Sequence, residues 1–70
     1  METDYLLEWP REIQRMLRAL GYDAPVSGCV CERTRRACMF YQRDIKLPDT
    51  GRVDDETLTR LVRKYHRIRS

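Results

Sequence analysis

No run of apolar residues in this 70-residue sequence is long enough to cross a membrane, which excludes a helical transmembrane span. The start, Met1-Glu2-Thr3-Asp4, is acidic where a secretory signal would be basic. The expectation is a chain that stays where it is made, cytoplasmic if full-length, although an excised fragment of a larger exported protein would look the same. Cysteine is scarce and odd in number: Cys29, Cys31 and Cys38 make a poor disulfide framework, which fits a reducing compartment. There is one histidine, His66, far from the cysteines, and Cys29-x-Cys31 lacks the wider gap of paired zinc cysteines. Four ligands could not meet without folding the C-terminus back, so neither a metal nor a cofactor is expected.

What is present sets further limits. A chain of this length makes one domain with a single core, too small for a catalytic cleft and its scaffold together. Asp54, Asp55 and Glu56 are adjacent carboxylates, yet capping of a following helix explains them, and no nucleophile or second acid pairs with them. No enzymatic activity is expected. Charged residues make up 36% of the chain and apolar ones 41%, so the chain can fold if its apolar residues gather onto a few faces. The net charge is +3, with most of the excess in Arg60, Arg63, Lys64, Arg67 and Arg69. That balance favours anionic partners, though cations at a helix end also complement its dipole.

Three helices can be read from periodicity. Residues 1–9 carry Tyr5, Leu6, Leu7 and Trp9 without a helical stripe of useful length and are expected to lie as an arm on the core. Pro10 suits a first helical position, and Ile13, Met16, Leu17 and Leu20 follow at the spacing of one buried face before Gly21 ends the helix. A second helix is expected from Glu32 to Asp44, with Thr34, Ala37, Cys38, Tyr41 and Ile45 on its stripe. Leu47-Pro48-Asp49-Thr50-Gly51 is a dense turn signal, and Asp54 then caps a third helix striped with Leu58, Leu61, Val62 and Tyr65. The fold class is all-α: a compact three-helix bundle of residues 10–66, with two glycine-containing loops, the N-terminal arm and a basic tail at 67–70.

A short pattern occurs twice at the helix entrances. Gly28, Val30 and Thr34 are matched by Gly51, Val53 and Thr57 at the same spacing. In each copy the glycine supplies a turn, the valine anchors the loop and the threonine falls in the first helical turn. Gln14 and Gln42 each stand beside a buried stripe and are expected to hydrogen-bond loop backbone. Cys31 would place its thiol at a helix N-terminus, where the dipole favours thiolate, whereas Cys38 falls in the core.

The residues resemble a known family from Glu12 to about Tyr65. Ile13-Gln14-Arg15-Met16-Leu17 with Leu20-Gly21-Tyr22 is similar to the first helix of the peptidoglycan-binding-like domains found beside bacterial wall hydrolases. Tyr41-Gln42-Arg43, Leu47-Pro48, Thr50-Gly51-Arg52-Val53-Asp54 and Glu56-Thr57-Leu58 resemble that family's second loop in order and spacing. The first loop departs from the family pattern, with Ser27-Gly28, Val30, Cys31, Glu32 and Thr34 in place of an Asp-Gly, an aromatic, a second glycine and Pro-x-Thr. The resemblance implies a non-catalytic module that holds a partner to peptidoglycan or wall fragments through peptide stems and glycan. Such ligands carry carboxylates and amides, so the candidate ligand-binding residues are Tyr22, Asp23, Arg35, Arg43, Asp49 and Arg52, on or beside the glycine loops.

Two other functions compete. A protein partner could be gripped by a cytoplasmic adaptor through the apolar arm. Nucleic-acid binding is less favoured, because no helix shows a dense basic and polar recognition face and the acids at Asp54–Glu56 would repel phosphate.

Overall fold

Several of the helix boundaries follow from proline, a left-handed residue or a capping carboxylate nearby. The structure, a computed structural model, describes residues 3–69, and its helices are α1 (Tyr5–Glu8), α2 (Pro10–Ala19), α3 (Glu32–Asp44) and α4 (Asp55–Arg69). No strand occurs among the described residues, so the all-helical expectation holds. Pro10 opens α2, where its missing N–H costs nothing. At the other end Gly21 turns left-handed, with φ +97°, while its N–H bonds Arg18 O at 3.0 Å and Tyr22 N–H bonds Leu17 O at 3.0 Å. That pair of bonds satisfies carbonyls the helix would otherwise strand.

The end of α3 repeats this geometry without a glycine. Lys46 N–H bonds Arg43 O at 3.1 Å, Leu47 N–H bonds Gln42 O at 2.8 Å, and Lys46 adopts φ +61°. A lysine there carries backbone strain that glycine would avoid. At the start of α4, Asp54 Oδ1 accepts from Thr57 N–H at 2.9 Å, the cap expected from sequence. The three residues 67–69, read as a tail, continue α4.

The arm lies on the core, and it does so as a helical turn. Asp4 caps α1 through Leu6 N–H at 3.2 Å, and Leu6 is fully buried. The same Asp4 carboxylate accepts Val53 N–H at 3.1 Å, while Tyr5 N–H bonds Val53 O at 2.8 Å. The arm is thereby stitched to the second glycine loop. The part of the arm at Met1 and Glu2, and Ser70 of the tail, lie outside the described residues.

Leu6, Ile13, Leu17, Ala37, Cys38, Tyr41, Val53 and Leu61 form the buried core, with Ala24 from the first loop. Burial pushes the Cys38 thiol up to about 12, which keeps it protonated and inert. The Cα radius of gyration is 10.7 Å, against about 11 Å for a folded chain of this length.

Candidate functional site

Two buried glutamines shape the loops that carry the candidate residues. Gln14 Oε1 accepts from Ser27 N–H at 3.1 Å and Gly28 N–H at 2.9 Å, while its Nε2 donates to Cys29 O at 2.9 Å and Thr34 Oγ1 at 3.0 Å. Gln42 Oε1 accepts from Gly51 N–H at 2.9 Å, and its Nε2 donates to Arg52 O at 2.7 Å and Thr57 Oγ1 at 3.1 Å. Glycine, the residue after it and the threonine six positions on therefore meet one carboxamide in each copy. The sequence repeat is a structural repeat. Among the described residues, no buried side-chain nitrogen or oxygen lacks a hydrogen-bond partner, as a small core requires.

The six candidate residues fall into separate places around these loops. Arg35 is engaged by the fold: its Nη1 lies 2.8 Å from Gly51 O and 2.7 Å from Asp4 Oδ2, whose side chain is 7% exposed. Asp23 pairs with Arg33 through two bonds of 2.7 and 3.1 Å, which hold the Asp23 carboxyl below its ordinary range. Arg43 and Asp49 meet each other at 2.9 Å on the exposed rim of the second loop, and the bond lowers the Asp49 pKa. Arg52 is exposed in that loop. Tyr22 is half-buried, with its hydroxyl 2.5 Å from Asp44 Oδ2 and its ring edge-to-face with Tyr41. Burial, then the Asp44 bond, pushes its hydroxyl up to about 12.

Tyr22 lines a groove of about 530 Å³ that the sequence reading did not assemble. Its floor is Leu20, Tyr22, Tyr41 and Ile45, contributed by the C-cap of α2, the loop that follows it, and α3 with its own C-cap. One wall is α4, through Arg60, Arg63, Lys64 and Arg67. Asp23, Arg35, Arg43, Asp49 and Arg52 do not line it. The signal for the wall was present, because residues 60, 64 and 67 share a helical face. The dipole reading of the basic tail obscured it.

The remaining chemistry is modest. Hydrogen bonds from Thr34, through its backbone N–H and its hydroxyl, lower the Cys31 pKa. No group of three or more metal-ligating side chains occurs among the described residues. No helix among them is long and apolar enough to cross a membrane.

The described residues thus form a helical domain with two carboxamide-braced loops and a groove walled by cations. Comparison with known families gives the class: a model described as "Putative peptidoglycan binding domain" matches residues 10–61, and the chain belongs to that family. The chain is also 51% identical over 49 residues to "Localization factor PodJL" of Caulobacter vibrioides, in two strains. That match covers 69% of this chain and 5% of the relative. It is 39% identical over 57 residues to "Putative OxPP cycle protein OpcA" of Nostoc punctiforme, covering 80% of this chain and 12% of that protein. The chain thus spans only a small part of either relative. No solved structure matches it.

Proposed function

We propose that this domain is a non-catalytic module that recognises peptidoglycan or a fragment of it. One observation carries the reading: the family match over residues 10–61 takes in both braced loops, the groove floor and, of its wall, Arg60. The basic groove supports it, since wall peptides carry carboxylates that arginine and lysine hold well. The carboxylates at the start of α4 have other work, with Asp54 capping the helix and Asp55 accepting the Tyr5 hydroxyl at 2.6 Å, which supports a binding role over a catalytic one. The loop-rim residues Asp23, Arg43, Asp49 and Arg52 are proposed as outer contacts, whereas Arg35 is assigned to the fold.

Co-sedimentation of the reduced domain with purified sacculi over a salt series tests the reading, with an equally basic unrelated domain as control. Retention above the control at physiological salt is expected. Loss in step with the control refutes it.

A second reading has its own observation. Leu7 and Trp9 are 63% and 49% exposed on the arm, and Tyr5 stacks on Trp9 with ring centroids 5.7 Å apart. Apolar side chains held outward in this way would suit a protein partner. A pull-down that depends on Trp9, without sacculus binding, would favour an adaptor.

A further inference from the structure

We propose that the groove between α2, α3 and α4 takes the carboxylate-bearing peptide stem of peptidoglycan, and not its glycan strand. The proposal rests on the wall-binding reading and names the part of the polymer that is held.

Charge is the first argument. Arg63, Lys64 and Arg67 line the groove with no carboxylate partner among the described residues, and Arg60 reaches only Glu56, at 3.5 Å. Helix dipole complementation acts within the last turn, so it leaves the cations at 60 and 63 unexplained. From residue 60 to residue 67 the wall extends ~10 Å along the helix, enough to meet two carboxylates a few bonds apart.

The floor is the second argument. A sugar ring stacks best on a flat, exposed aromatic face. Here Tyr22 and Tyr41 meet edge-to-face at 81° with centroids 5.6 Å apart, and Tyr41 is only 3% exposed. The Tyr22 hydroxyl is already committed to Asp44. What the floor offers is shallow apolar relief, suited to the methyl groups of alanine between carboxylates. A volume of about 530 Å³ lies in the small-ligand range and holds a short peptide, not a polymer strand.

The test is an NMR titration of the whole chain with four soluble probes. They are the tripeptide L-alanyl-γ-D-glutamyl-meso-diaminopimelate, its carboxyl-amidated form, the peptide-free N-acetylglucosamine–N-acetylmuramic acid disaccharide, and oligoglutamate. The tripeptide is expected to shift amides around Tyr22, Ile45 and Arg63, while the disaccharide shifts none. Amidation, or the double change Arg63→Gln with Arg67→Gln, should weaken binding at least about tenfold, because each removes charge-assisted hydrogen bonds. Arg36→Gln, an exposed cation outside the groove, should not. Circular dichroism checks that the variants stay folded.

If sacculi retain the domain but only the disaccharide binds, or the tripeptide binds regardless of the groove variants, the wall reading stands and this proposal falls. Oligoglutamate binding as tightly as the tripeptide would make the groove a general acidic-protein surface and overturn it. Silence from every probe, with no sacculus retention, would remove both.

Discussion

Replacing Gln42 by alanine should remove a large share of this domain's stability. The side chain is 1% exposed and makes three short bonds, to Gly51 N–H, Arg52 O and Thr57 Oγ1. Arg52 is exposed, so its carbonyl can recover a water, whereas Gly51 and Thr57 are buried and cannot do so without opening the loop. Stranding a buried polar group costs about 1–3 kcal/mol, so one to two such groups give a loss of ~2–4 kcal/mol. A domain of this size has a total stability of only about 4–10 kcal/mol. The corresponding fall in Tm is roughly 10–30 °C. Urea and thermal unfolding followed by helical circular dichroism would measure it. Gln42→Met separates the terms, since methionine restores volume without restoring any bond; it should recover the cavity part of the loss and little else. A loss below about 1 kcal/mol for Gln42→Ala would refute the claim that one carboxamide holds the second loop.

The same geometry yields other expectations. Gly51→Ala places a Cβ 3.3 Å from Met39 Cγ at φ +80°, whereas Gly21→Ala meets no heavy atom within 4 Å at φ +97°. Both should lose ~1–2 kcal/mol from left-handed strain, and Gly51→Ala should lose more in denaturant titration. Lys46→Gly relieves a left-handed lysine and should gain ~0.5–1 kcal/mol, with no gain if the strain is absent. Acid should weaken the fold. The Asp54 carboxyl is held below its ordinary 3.8 by the Thr57 hydroxyl and backbone N–H, so its folded pKa is the lower one. Its stabilisation is therefore complete above the unfolded value and lost as pH falls through the folded value. Tm should be flat from about pH 7 to 5 and fall below about pH 4, and Asp54→Asn should flatten part of that fall.

Much of this fold was legible because its signals are local. The α3 boundaries, Glu32 to Asp44, followed from one periodic stripe, and the two entrances followed from glycine, valine and threonine at fixed spacing. The α1 turn was not legible. Four residues show no helical period, and the turn depends on Asp4, which is anchored by the main chain of Val53, 49 positions away. Lys46 gave no warning of its left-handed backbone, since the usual mark is glycine or asparagine. Arg35 read as a ligand group because its partner Asp4 lies 31 positions away in the arm, and no local spacing pairs the two. The groove was invisible for a related reason: it is built from three helices, and only Tyr22 among its lining residues belonged to a loop.

The braces also bear on how such a domain can change partners. In both loops the glutamine holds main-chain N–H and C=O groups and a threonine hydroxyl, and it touches none of the outward side chains at Cys29 or Arg52. Loop shape is thereby set by the carboxamide and by glycine, independently of the surface residues the loop displays. The altered first loop fits this division: it keeps Gly28 and Thr34, on which Gln14 acts, and differs at positions Gln14 does not restrain through their side chains. Ligand choice in such a scaffold can drift without a cost in stability, so the fold alone is weak evidence of the ligand. The groove is different, because its floor residues Leu20, Tyr41 and Ile45 are also packing residues of the core or its edge. The floor of the groove is thereby tied to the bundle itself, whereas the cations of α4 that wall it are exposed side chains, as free to change as those the loops display.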